Sequence, residues 1–105
     1  MDALYTQFDS VFFEKTRLSI ITVLYREQES SFTHIKRMFA LSDGAAYAHL
    51  RKLSQAGYVD TKRRLGADRA ETWYSLTGKG REMFRSYLNF LESMTGMEVT
   101  KDPST

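Results

Sequence analysis

Residues 41–77 read LSDGAAYAHLRKLSQAGYVDTKRRLGADRAETWYSLT, and a change of period inside them decides the fold. In the first half, Ala46, Leu50 and Leu53 recur at helical spacing as far as Gly57, a C-terminal stop signal. Ser42 or Asp43 stands where the N-cap of that helix belongs. After Gly57 the spacing becomes alternating, so Tyr58-Val59-Asp60-Thr61-Lys62-Arg63-Arg64-Leu65 reads as a strand. Gly66-Ala67-Asp68-Arg69 reads as a turn, and Ala70-Glu71-Thr72-Trp73-Tyr74-Ser75-Leu76 as the returning strand.

Working outward, Thr77 caps a last helix expected from Gly78 to about Ser93. Upstream, a first helix is expected after Asp9 or Ser10, running to about Arg26, with Phe13, Leu18, Ile21, Leu24 and Tyr25 turned to a core. Glu27-Gln28-Glu29-Ser30 breaks it. Ser31-Phe32 adds a short extended segment, and Thr33 caps a short second helix carrying Ile35, Met38 and Phe39. A two-stranded ribbon is not stable alone in water, so the hairpin is expected to lie on the three preceding helices.

The 105 residues fit one domain, expected over residues 1–95 with a disordered tail at 96–105. A chain of this size hides only about 65% of its unfolded surface, so a partner subunit would help it. With no Cys, disulfides, zinc fingers and thiol chemistry are excluded. The two His residues are too few for a zinc site, and no cofactor or metal is expected. His49 is expected to be partly buried and bonded locally, and His34 to be a surface residue or a phosphate contact. No apolar run approaches the roughly 18 residues of a membrane span. The opening Met1-Asp2-Ala3-Leu4 lacks the basic lead and apolar stretch of a signal peptide, so a cytoplasmic protein without membrane attachment is expected.

Charge is segregated rather than scattered. Residues 31–81 hold ten basic and four acidic residues, whereas the flanks hold five basic and nine acidic. A cationic centre between anionic ends points to an anionic partner.

The order helix, helix, helix, hairpin, helix is an α+β arrangement, mostly α with a small β-hairpin. Two short helices and a basic hairpin together make a helix-turn-helix with a wing. Leu41-Ser42-Asp43-Gly44, His49-Leu50-Arg51-Lys52-Leu53, Ala56-Gly57-Tyr58-Val59 and Leu76-Thr77-Gly78-Lys79-Gly80 carry a resemblance. Over roughly residues 10–92 the chain resembles the winged helix-turn-helix transcriptional regulators related to the MarR and ArsR groups. It departs from the metal-sensing members in having no Cys. The resemblance implies double-stranded DNA as the partner.

On a helical wheel at roughly 100° per residue, Ala46, Leu50, Leu53 and Gly57 face inward, and Gly44, Ala48, Arg51, Lys52 and Gln55 face outward. Small residues let a helix sit deep in the ~12 Å major groove, where Arg can bond two acceptors of guanine. The expected contacts on this recognition helix are Ser42, Asp43, Gly44, Ala45, Tyr47, Ala48, Arg51 and Lys52. The bland reading makes Arg51 and Lys52 ordinary solvated positions. Tyr47, at the margin, either stacks on a sugar or thymine methyl or shields the turn.

The wing and its flanks contribute Lys36, Arg37, Lys62, Arg63, Arg64, Arg69 and Lys79 as further expected contacts. Alternation sends Lys62 and Arg64 to one face and Arg63 to the other. Arg69 at the narrow tip is the candidate for the minor groove; charge that merely protects an edge ribbon is the competing reading. Trp73, Tyr74 and Leu76 are read as packing residues. Gly78 and Gly80 flank Lys79 in the first turn of the last helix, where a close backbone approach is the favoured explanation.

The last helix carries Met83, Phe84, Tyr87, Leu88, Phe90, Leu91 and Met94, an arc too wide for one face of a small domain. Leu4, Tyr5, Phe8, Val11, Phe12 and Phe13 add a second aromatic surface. Both are expected to be buried in a homodimer through N- and C-terminal dimerisation helices, with Phe8, Phe12, Phe84, Tyr87, Leu88 and Leu91 at the interface. A monomer whose terminal helices cover each other is the alternative. A small-molecule effector of unknown identity would bind between the winged domain and the dimer helices, where Met38, Phe39, Phe12 and Tyr87 either line a cavity or pack the core.

The function expected is therefore a homodimeric, sequence-specific double-stranded-DNA-binding transcriptional regulator, a repressor, with a protein- or RNA-binding assembly module as the alternative. No nucleophile, base and acid pattern suggests an enzyme.

Overall fold

The structure, a computed structural model, describes residues 9–97. In chain order it contains α1 (Lys15–Glu27), β1 (Glu29–Ser31), α2 (Phe32–Met38), α3 (Asp43–Gln55), β2 (Val59–Leu65), β3 (Ala70–Leu76) and α4 (Gly78–Thr95). Phe8 and most of the expected tail lie outside the described residues.

The first helix begins later than its capping residues suggested. Asp9 spends its carboxylate on a separate turn, accepting the Val11 N–H at 2.9 Å while its carbonyl accepts the Phe13 N–H at 3.0 Å. Glu14 then caps α1, its side chain accepting the Arg17 N–H at 2.9 Å. The helix stops at Gln28, whose φ of 75° leaves the helical region.

The short extended segment expected at Ser31-Phe32 lies two residues earlier and forms a third strand of the sheet. Glu29, Ser30 and Ser31 pair antiparallel with Ser75, Tyr74 and Trp73, giving a sheet ordered β1-β3-β2. The ribbon is thus completed along the free edge of β3 as well as by helices. Ser31, not Thr33, caps α2, accepting the His34 N–H at 3.1 Å. Extended backbone suits both roles, so one residue ends the strand and starts the helix.

From α3 onward the boundaries follow the sequence reading. Ser42 caps α3 by accepting the Ala45 N–H at 3.1 Å. At its far end Gly57 takes a φ of 84°; the Gly57 N–H reaches the Ser54 carbonyl and the Tyr58 N–H the Leu53 carbonyl. This paired closure needs a left-handed residue, which glycine supplies. Strands β2 and β3 are in register from Val59 opposite Leu76 to Leu65 opposite Ala70. The Gly66 N–H closes the turn on the Arg69 carbonyl at 2.7 Å. Thr77 caps α4 by accepting the Gly80 N–H and donates its own hydroxyl to the Gly57 carbonyl at 2.6 Å. The two helix ends are thereby tied together.

Ile20, Ile21, Leu24, Ile35, Leu50 and Leu53 fill the core with the rings of Phe12, Tyr25, Tyr58, Tyr74 and Phe84. Phe12 stands edge-on to Tyr58 at 4.9 Å, and Phe84 lies 4.8 Å from Tyr25. This corrects the expected dimer surface. Phe12 is 0% exposed and Phe84 5%, so both are consumed within one chain. A domain this small needs its aromatics to fill its own interior. Phe13 meets Tyr87 at 5.2 Å, so the start of the described chain and α4 do cover each other in part.

Candidate nucleic-acid interface

Helix α3 buries Ala46, Leu50 and Leu53 and turns Gly44, Ala48, Arg51, Lys52 and Gln55 to solvent, the phase read from the sequence. Its mounting was not legible. Arg17, only 8% exposed, donates from Nε to the Val11 carbonyl and places Nη1 3.0 Å from Nδ1 of His49. An arginine can only donate, so Nδ1 is the acceptor of this contact. Glu14 stands 4.0 Å from Arg17 and 3.8 Å from His49. Burial raises the Glu14 carboxyl, but the hydrogen bond from the Arg17 N–H and the positive charge beside it outweigh burial and leave the group below its ordinary value. His49 therefore bonds across to α1 rather than locally. A Glu-x-x-Arg pair at positions 14 and 17 was the available signal, though it says nothing of α3.

A second anchor joins Asp9 to Tyr58, whose hydroxyl donates at 2.7 Å. The Val11 N–H and the Tyr58 hydroxyl hold the Asp9 carboxyl below its usual range. Burial first, then that hydrogen bond and the Asp9 charge, push the Tyr58 phenol up to about 12.

Two grooves flank the outward side of α3. One, of about 200 Å³, lies between α3 and the wing and is lined by Tyr47, Arg51, Gln55, Thr61 and Tyr74, among others. Tyr47 is 56% exposed at its rim. Burial and the neighbouring Tyr47 raise the Tyr74 phenol, with Arg63 opposing. The other groove, of about 260 Å³, brings Lys36 and Asp43 against Arg63, Arg69, Glu71 and Thr72. Lys36 Nζ sits 2.8 Å from Asp43, and Arg63 donates to Thr72 Oγ1 at 2.6 Å. Arg51 thus lines the first groove and Lys36, Arg63 and Arg69 the second, with exposed Arg37 at the end of α2.

Two expected contacts are engaged elsewhere. Arg64 projects from the opposite sheet face, where it makes two 2.7 Å bonds to Glu29 and lies 4.8 Å over Trp73. The hydrogen bonds to Arg64 hold the Glu29 carboxyl low. Exposed Lys62 shares that face by the register. Lys79 donates to the Ala56 carbonyl at 2.7 Å and covers the Tyr58 ring, closing the C-terminal end of α3. Trp73 is half-buried beneath Arg64, and His34 faces Glu27 at 3.4 Å. Of the four residues considered for an effector cavity, Phe12 belongs to the core and Phe39 and Tyr87 pack against it, while Met38 is exposed.

Among the described residues, no three His, Cys, Asp or Glu side chains are grouped to hold a metal, and no helix is long and apolar enough to cross a membrane.

Known proteins share this arrangement. An uncharacterized protein of Methanocaldococcus jannaschii is 33% identical over 78 residues, spanning 74% of this chain and 85% of that one. A transcriptional regulator homologue from Pyrococcus horikoshii OT3 superposes with a TM-score of 0.72 at 25% identity, over 90% of this chain and 99% of that chain. A MarR-family regulator structure from Enterococcus faecalis V583 gives a TM-score of 0.76 at 14% identity, over 90% and 86%, a likeness of fold. Residues 16–95 match the sequence pattern of the winged helix DNA-binding domain. The chain belongs to the winged helix DNA-binding domain family.

Proposed function

We propose that this chain is a homodimeric transcriptional regulator, acting as a repressor, that reads double-stranded DNA sequence with the outward face of α3. The observation that carries the reading is the division of α3 itself. Leu50 and Leu53 fix its inner side in the core, while small residues and Arg51 stand outward beside the cationic wing. That pattern fits insertion into a major groove, with Arg51 placed to bond guanine. Lys36, Arg37, Arg63 and Arg69 supply phosphate contacts around it, and Lys62 a further one from the other wing face. The family and the regulator-like relatives support the same reading.

Dimerisation rests on the far end of α4. Tyr87, Leu88 and Leu91 are half-buried there, and Met94 is 55% exposed. Pairing two such ends about a two-fold axis would present two α3 helices to half-sites about 34–36 Å apart.

Selection of bound sequences from random duplexes with the purified protein tests the proposal. A palindromic site should be enriched, with binding that weakens steeply in salt, at about −0.9 in log-log slope per neutralised phosphate. Absence of enrichment together with a flat salt response would move the reading to a protein-binding module.

A further inference from the structure

Among the described residues, Leu65 is 90% exposed, well above the other exposed large hydrophobic residues, of which Met97 at 64% comes next. It is the last residue of β2, and its partner across the ladder is Ala70, whose methyl group shields nothing. Alternation along β2 puts Leu65 on the face of Thr61 and Arg63, the two strand residues that border the grooves beside α3. An isobutyl group therefore projects at the wing tip toward the side on which Arg51 stands.

The tip around it is narrow and held in place. Gly66, Ala67 and Asp68 have short side chains, so Leu65 and Arg69 are the long ones there. The Gly66 N–H is bonded to the Arg69 carbonyl, and a β-carbon on Gly66 would stand 2.9 Å from that same oxygen. The tip must stay thin. Charge identifies the kind of surface it meets: Arg63 and Arg69 line the groove beside it and Lys62 and Arg64 lie on the other wing face, four cations against the two tip acids Asp68 and Glu71. An apolar side chain flanked by cations suits a polyanion that offers apolar stacking surfaces between its charges. A DNA minor groove is such a surface, with phosphate walls and base steps that admit a leucine wedge.

We propose that Leu65 enters the minor groove beside Arg69 and partly unstacks one base step in each half-site, making the wing a reader of step deformability. A flexible pyrimidine–purine step would be preferred there, because it unstacks most easily. This inference rests on the DNA-binding reading above, and goes beyond it in naming the residue and the step.

The test uses the full chain and its selected duplex carrying 2-aminopurine at successive positions flanking each half-site, read by fluorescence and by titration. Wild type and Leu65→Met should raise the fluorescence at one step per half-site. Leu65→Ala should abolish that rise and weaken binding by about tenfold, while the preference at the base pair read by Arg51 is kept. Because the side chain is exposed, the thermal midpoint of Leu65→Ala should match wild type, which separates the effect from misfolding. Wild-type binding with no rise at any step, or an unchanged Leu65→Ala titration, overturns the wedge and leaves DNA binding standing. Failure of wild type to bind any duplex overturns both.

Discussion

Gly80 lies directly beneath the carbonyl of Tyr58, where an added β-carbon would collide with the oxygen. The same oxygen accepts the Thr77 N–H at 3.0 Å, so it cannot swing away without breaking a bond to the residue that caps α4. Gly80→Ala should therefore cost at least about 1–3 kcal/mol, as overpacking does. Gly78, two residues earlier, has nothing within 4 Å of an added β-carbon. Gly78→Ala should be neutral or stabilising by up to about 1 kcal/mol. Thermal unfolding of the two variants checks the contrast; equal midpoints would contradict it.

Packing and reading should separate within α3. Leu53 is fully buried, and Leu53→Ala should cost ~2–5 kcal/mol as a cavity. Arg51 is exposed, and Arg51→Ala should stay within ~0.5 kcal/mol of wild type. Denaturant unfolding ranks them, and the reverse order would place the wrong face of α3 inward.

The Asp9–Tyr58 bond sets a pH window. The Tyr58 phenol is raised from 10 to about 12, so its contribution to stability is complete below pH 10 and is lost as pH rises toward 12. The Asp9 carboxyl is lowered from 3.8, so its contribution is present above that pH and lost below it as the folded group protonates. Unfolding free energy measured against pH should fall on both sides of a neutral plateau. Tyr58→Phe should make the alkaline fall shallower without removing it, since the Tyr74 phenol is also raised. An alkaline limb of unchanged slope would mean that the fold does not raise the Tyr58 phenol.

Assembly gives a fourth test. Sedimentation equilibrium at micromolar protein should report about twice the chain mass of 12.2 kDa. Leu91→Glu, at a half-buried position near the end of α4, should shift that mass to the monomer with the fold kept. A monomer mass for wild type at every concentration would remove dimerisation from the account.

What was legible in the sequence followed from periodicity and capping chemistry. Ser42, Gly57 and Thr77 bound α3 and α4 as their residue types suggest, and Ala46, Leu50 and Leu53 turned inward as their spacing requires. Strand β1 was legible only as a short extended segment placed two residues late, at Ser31-Phe32, because Glu29-Ser30-Ser31 has no apolar alternation and pairs with β3 through its backbone. Phe12 and Phe84 looked like surplus apolar surface, since spacing along one element cannot show that rings from distant segments meet in one small core. Counting charge likewise missed that Arg64 finds Glu29 35 positions away and Lys79 the Ala56 carbonyl 23 positions away. The Arg17–His49 contact spans 32 positions and had no signal in α3 at all.

The central claim is that α3 reads bases while the wing supplies position. Base contacts carry sequence information, and phosphate contacts add affinity to any duplex. The deciding measurement is a titration of wild type, Arg51→Ala and Arg63→Ala against the selected duplex, single-substituted duplexes and random duplex at two salt concentrations. Arg51→Ala should lose ~1–3 kcal/mol on the selected site and relax the preference at one base pair per half-site. Arg63→Ala should weaken selected and random duplexes by similar factors, with a salt slope shallower by about one per lost contact. If Arg51→Ala weakens every duplex equally, α3 is not the reader and the account fails at its centre.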